Sequence, residues 1–287
     1  MTREEARKSA EKHRQQLIDR LDDEGAYNLA RKLERCGEVV PLNCTGCGRS
    51  RTGRTRCDLR WCPVCQRHLA AQTSIRYSAI AEDCDWPNVV TFTAQHSIGS
   101  WMTIRDMRRA FTKLRRLRWW KAKVKGGVAA FEMTLGKNGM HVHIHALIDC
   151  KWLSVTETAP KVGATKDEWR RKGKRSRMEV SQQWSLCCGR PADVHVRRMR
   201  GKNISDATKE VLKYAVKGSD LVSQKGQIAP IIRSMTGSRL VSSWGTFYRH
   251  PSVKRQKPAP AMCQCGCSDW MLEQTVDSIV NRIKRHR

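Results

Sequence analysis

The run His141-Val142-His143-Ile144-His145 alternates as a strand would, which places three imidazoles on one face and Val142 and Ile144 on the other. Three imidazoles stacked on a single face lose hydration with nothing apolar gained, so a ligand-binding role is the reading that explains them. Upstream, the run Val128–Leu135 is separated from Met140–Ile148 by Gly136-Lys137-Asn138-Gly139. Asn-Gly between two alternating runs is a strong hairpin signal. If Lys137 pairs with Met140, Glu132 lies opposite His145; with a four-residue loop it lies opposite His143. Both registers leave Glu132 on the histidine face, and only an odd-length loop would turn it away. Two imidazoles and a carboxylate with open positions suit Mg²⁺ or Mn²⁺ engaged with a phosphate. Gln95 and His96, just beyond the strand signal Val89-Val90-Thr91-Phe92-Thr93, are rival ligands.

A second set of residues is built from thiols. Cys44-x2-Cys47 and Cys62-Pro63-Val64-Cys65 lie fourteen residues apart, a spacing that brings four thiolates to one tetrahedral Zn²⁺. Cys57 is the alternative ligand and Cys36 a weaker one. Such a site closes all four positions, so its role is structural. Arg49, Arg51, Arg54, Arg56 and Arg60 stud this stretch and predict a ribbon that contacts DNA. Cys263-x-Cys265-x-Cys267 could take a second metal, although its one-residue spacing is cramped for one ion without a distant partner. His195 reads as a core or groove residue, His68 and His250 as weak spare zinc ligands, and Cys187 and Cys188 as buried thiols.

The third set is Glu210-Val-Leu-Lys-Tyr214-Ala-Val-Lys217. On a helix, residues 210, 214 and 217 share a face while Val211, Leu212, Ala215 and Val216 pack inward. A phenol beside a lysine and a carboxylate has the surroundings a tyrosine nucleophile needs, since its ordinary pKa of about 10 demands activation.

The elements that must position these groups follow from periodicity. Residues 1–35 read as a helix or helical hairpin, and a short helix runs from Leu69 to Glu82. Ile104, Met107, Phe111, Leu114 and Leu117 mark an amphipathic helix whose other face carries Arg105, Arg108, Arg109, Arg115, Arg116 and Arg118. The polar stretch 151–178 reads as a mobile basic insertion before a helix near 178–187. Asp193–Arg200 alternates as a strand, and Ala207–Lys217 is a helix with Ser205 or Asp206 as its N-cap. A basic amphipathic helix begins near 269. Without a regular strand–helix rhythm, the pattern indicates an α+β fold around an antiparallel sheet. It divides into a helical segment at 1–35, a zinc-binding ribbon at 36–68, a main domain at 69–225 and a basic C-terminal region at 226–287.

Composition narrows the partner. The 287 residues carry 55 Lys and Arg against 27 Asp and Glu, a formal charge of +28. A chain this basic is expected on a polyanion. No apolar run approaches the roughly 20 residues of a membrane span, and the charged N-terminus shows no secretory signal. Thirteen cysteines in a cytoplasmic chain point to metal rather than disulfides.

Together these motifs resemble the HUH single-strand endonucleases, and within them the single-tyrosine rolling-circle replication initiators of small bacterial plasmids. The likeness spans roughly 40–220: a cysteine knuckle resembling Cys57–Cys65, the strand Val89–Thr93, Phe131-Glu132-Met-Thr-Leu-Gly-Lys-Asn-Gly139 leading into His141–Leu147, and the Tyr214-x-x-Lys217 helix. The resemblance implies a five-stranded antiparallel sheet flanked by helices, with an inserted or preceding zinc ribbon. It implies His143 and His145 as the metal pair, Glu132 as the acidic ligand, Tyr214 as nucleophile with Lys217 beside it, and Glu210 as the carboxylate that activates water in the closing step. The implied partners are single-stranded and hairpin DNA at an origin, with a host helicase and polymerase. Arg49, Arg51, Arg54, Arg108, Arg115 and Arg116 would contact phosphates, and Trp119 or Trp120 would stack a base. A transposase or relaxase-like nickase using the same chemistry is the first alternative, and a non-enzymatic zinc-ribbon repressor the second.

Overall fold

A computed structural model describes residues 2–96, 102–136, 139–156, 158–199, 206, 208–209, 211–212, 221–222, 228–251 and 262–272. A hairpin forms the centre. β4 (Gly126–Gly136) and β5 (Gly139–Asp149) pair antiparallel, with Glu132 opposite His143, Thr134 opposite His141 and Gly136 opposite Gly139. Of the two registers expected from sequence, this is the one that sets Glu132 against His143. β3 (Pro87–Ala94) lies on the other side of β5, β6 (Ala192–Arg198) borders β3, and β7 (Val241–Gly245) borders β4. The result is a five-stranded antiparallel sheet in the order β6-β3-β5-β4-β7, flanked by helices, as the family resemblance implied.

Alternation separates the two faces. Phe92, Phe131, Val142, Ile144 and Val194 point to one side, where α4 (Ile104–Arg116), α5 (Arg118–Lys123) and α6 (Lys166–Cys188) cover them. Phe92 meets Phe111 edge-on at 5.3 Å and Trp184 at 5.2 Å between ring centroids. The Trp184 indole N–H donates to the Thr93 carbonyl at 2.8 Å, so burying this ring leaves no stranded donor. α4 is set by a capping box in which Thr103 and Asp106 satisfy each other's backbone N–H. α6 begins at Lys166, behind the N-cap Thr165, rather than near 178. Its first half is charged all round, so no apolar stripe announces it; the Lys172–Glu168 and Arg175–Glu179 pairs brace it instead.

The opposite face of the sheet carries the histidines at one end. Its other end is apolar: Val89, Val128, Ala130 and Leu147 are buried with Tyr77, Ile80 and Ala81 of α3 (Cys65–Glu82) and with Val211, Leu212 and Phe247.

Before the sheet, α1 (Arg3–Asp23) and α2 (Tyr27–Glu34) fold as a helical hairpin whose Leu17, Leu21, Ala30 and Leu33 join the main core together with Cys36, Cys62 and Cys65. A second, three-stranded sheet has the order β2-β1-β8: β1 (Val39–Cys44) and β2 (Ser50–Arg54) pair, and β8 (Trp270–Leu272) returns to the other edge of β1. Both β7 and β8 therefore come from the stretch beyond 225 that sequence reading set apart as a C-terminal region. Among the described residues no helix is long and apolar enough to cross a membrane.

Candidate functional site

Four imidazoles line the open end of the sheet. His143 and His145 sit on β5 with ring centroids 6.1 Å apart; His141 lies 3.8 Å from His143, and His96, just past β3, stacks on His141 at 4.0 Å. His145 is held at both ring nitrogens, Nε2 lying 2.8 Å from Glu132 Oε2 and Nδ1 3.2 Å from Thr91 Oγ1. Thr134 Oγ1 lies 3.4 Å from His143 Nε2. Burial, followed by the neighbouring His141 and His145, pushes His143 down to about 4 against the opposing pull of Glu132. Burial and His96 lower His141 in the same direction. Both rings are thus neutral at pH 7, the form whose lone pair binds metal.

Neutral imidazoles and a carboxylate on one half-buried face are ligand types that a divalent cation takes; here Glu132 Oε2 meets His145 Nε2, and among the described residues the groups whose donor atoms already lie within 4.8 Å of one another are thiols. Of the two rivals to Glu132, His96 joins the row, whereas Gln95 is exposed and donates its backbone N–H to the Pro191 carbonyl. Thr91 and Thr134, which orient the rings, carried no signal in the sequence beyond their place on the same face.

Glu210, Tyr214 and Lys217 lie outside the described residues. Their neighbours Val211 and Leu212 are buried against Val89, Ala130 and Leu147. Ala130 pairs with His145 and Val89 with Leu147, so these contacts fall on the histidine face.

The thiols assemble differently from the expectation. Cys44 and Cys47 do not join Cys62 and Cys65; instead Cys36, Cys57, Cys62 and Cys65 form one group, and Cys44, Cys47, Cys263 and Cys265 another, each with its sulfurs within 4.8 Å. The reason is the ribbon. Pairing β1 with β2 carries Cys44 and Cys47 to the outer end of the hairpin, while Cys36 and Cys57 flank its base beside the N-terminus of α3. In the inner group, Cys65 is pulled down and Cys62 pushed up, each first through the Cys36 thiol, the mark of protons shared among crowded sulfurs. Either group has the four donors of a tetrahedral zinc. The alternative ligand Cys57 and the weaker candidate Cys36 complete the inner group, and the two CxxC pairs belong to different groups.

The cations divide as well. Arg116 is exposed. Arg108 lies over the Phe131 ring at 4.8 Å, and Arg115 over Trp244 at 4.9 Å, both partly buried, and burial lowers both guanidinium pKa values. They serve packing at least as much as any surface. Arg54 donates to the Gly37 carbonyl at 2.7 Å. Arg51 stacks on Trp270 at 4.0 Å, and Arg49 hydrogen-bonds Gln264. Trp120 is fully buried and so is not open as a platform, whereas Trp119 is half-buried, packed against the main core and edge-on to Trp120 at 5.7 Å.

Residues 50–265 match a family described as replication protein. A curated relative, "Protein rep" of Lentilactobacillus hilgardii, is 25% identical over 237 residues, 77% of this chain and 74% of its own. No solved structure matches.

Proposed function

The chain belongs to the replication protein family, and from that premise we propose that it is a plasmid replication initiator that nicks single-stranded DNA at its origin with a tyrosine. The observation that carries this reading is the Glu132–His143–His145 cluster at the open end of a five-stranded antiparallel sheet, whose same face receives Val211 and Leu212, beside Tyr214 in sequence, at its apolar end.

His143, His145 and Glu132 would hold Mg²⁺ or Mn²⁺, with His141 and His96 as the imidazoles next in line. When bound, such an ion draws charge from a phosphate oxygen and so eases attack at phosphorus. Thr91 beside His145 Nδ1 and Thr134 beside His143 Nε2 would restrain the two rings, as hydrogen-bond partners of ligating histidines do. The Tyr214 oxygen would attack the scissile phosphorus in line, losing its proton, while the bond from phosphorus to the 3′ oxygen breaks and that oxygen leaves as a 3′-OH. One phosphodiester is exchanged for another, so the energy for rejoining is kept in the 5′-phosphotyrosine. In the closing step Glu210 would take the proton from a water or a DNA 3′-OH that attacks this linkage. The inner thiol group would hold a structural zinc at the base of the ribbon.

The test is cleavage of labelled origin oligonucleotides by wild type, His143→Ala and His145→Ala, with Mn²⁺, with Mg²⁺ or with no added divalent ion. Cleavage should need the ion and fall by more than about 100-fold in each variant, since partners merely supporting a ligand are worth about 10–100-fold, while oligonucleotide binding persists. Cleavage that survives both substitutions would refute the site.

A further inference from the structure

We propose that Cys44, Cys47, Cys263 and Cys265 form a second zinc centre, which clasps the late segment 263–272 onto the ribbon and is the more easily emptied of the two. This inference does not rest on the nicking chemistry.

The sulfurs are spaced as one ion would set them. Cys44 Sγ lies 3.6 Å from Cys265 Sγ, and Cys47 Sγ lies 3.5 Å from Cys263 Sγ. A tetrahedral zinc with bonds of about 2.3 Å holds its sulfurs about 3.8 Å apart. All four are free thiols. Both halves are built as tight turns. Gly48 (φ +70°) donates its N–H to the Cys44 carbonyl at 2.9 Å, and Gly266 (φ +84°) donates to the Cys263 carbonyl at 2.9 Å. Between Cys44 and Cys47, a Cβ on Gly46 would stand 3.1 Å from Cys267 Cβ, so the two turns are closely nested. Cys267 itself lies beside Thr45, 3.3 Å from its hydroxyl, outside the four.

What the clasp holds would hold poorly alone. β8 is three residues long, and its ladder is Cys44 opposite Trp270, Asn43 opposite Met271 and Leu42 opposite Leu272. A strand this short on an open edge is marginal in water, whereas metal binding supplies folding free energy directly. Docking β8 also brings Trp270 beneath Arg51 and Gln264 to Arg49. The clasp thereby fixes two of the ribbon's cations.

The two centres differ in shelter. Cys36, Cys62 and Cys65 are buried in the main core, whereas Cys47 and Cys265 are exposed. A chelator reaches exposed thiolates without opening the fold, so the outer ion should leave first.

The experiment is zinc determination on the full chain, with the kinetics of zinc release to a chromogenic chelator. Wild type should hold two ions per chain and release them in two phases, the faster by at least tenfold. Cys263→Ser/Cys265→Ser should hold one ion and lack the fast phase, and Cys267→Ser should keep both. Cobalt loaded in place of zinc should show thiolate-to-cobalt absorption of about twice the intensity in wild type. One ion per chain in wild type, two retained in Cys263→Ser/Cys265→Ser, or one lost in Cys267→Ser would each overturn the proposal. The thiolate-to-cobalt absorption of wild type, to which an ion on the His143–His145 face contributes nothing, decides the matter even where the double variant does not fold: intensity for eight thiolates supports the second centre and intensity for four overturns it.

Discussion

Glu132 faces His143 across the ladder yet reaches diagonally to His145, 2.8 Å away. Diagonal neighbours on a sheet lie within range of a long side chain, so one carboxylate can serve both histidines. That Glu132 shares their face was legible from strand parity alone, because each even-length loop between Leu135 and Met140 gives the same answer. Which histidine it meets was not legible, because the pairing Gly136–Gly139 depends on turn geometry rather than on hydrophobic pattern. The converse holds for the thiols. Spacing named the residues but not the partners, since Cys44 meets Cys265 across 221 positions and no local pattern records that. Glu210→Ala should leave the first nick within about threefold of wild type and slow the release or rejoining of the covalent product by 10²-fold or more, about the share of a general base. Single-turnover cleavage followed by a strand-transfer assay separates the steps, and equal losses in both would remove Glu210 from the closing role.

The elements are held by the face that the histidines do not use. Trp184 from α6, Phe111 from α4 and Phe92 from β3 interlock there, and Trp184 is fully buried with its N–H satisfied. Trp184→Ala should cost about 3–5 kcal/mol, read as a shift in denaturant midpoint, and Trp184→Phe less, with only the hydrogen bond and part of the ring lost. A cost under about 1 kcal/mol for the alanine variant would mean that α6 does not anchor the sheet. α4, β3 and the β4–β5 hairpin were legible because their periods are clean. β7 was not: Val-Ser-Ser-Trp-Gly offers no apolar alternation and becomes a strand because its backbone completes the open edge of β4. Nor was the first half of α6, where helix-forming charged residues pair along the surface without an apolar stripe.

Across the whole molecule the formal charge of +28 and the family membership converge on a nucleic-acid partner. Affinity for single-stranded or hairpin DNA should therefore be steeply salt-dependent: with about 6–10 phosphates neutralised, it falls by about 10³–10⁵ between about 50 and 200 mM salt. A titration of fluorescent hairpin binding at several salt concentrations reads the slope, and a flat profile would show that the excess charge does not meet phosphate. Composition made the partner class legible, whereas the joining of the late segment to the early ribbon, through β8, depends on pairing between residues more than 200 positions apart. As the proposed nucleophile, Tyr214 would become joined to DNA. The direct measurement uses an origin oligonucleotide labelled at its 3′ end, incubated with Mn²⁺ and resolved under denaturing conditions beside Tyr214→Phe. Wild type should yield labelled protein, with the label mapped to the Tyr214 peptide, and the variant none although it binds the oligonucleotide normally. A nick without labelled protein, or an adduct that persists in Tyr214→Phe, would contradict it.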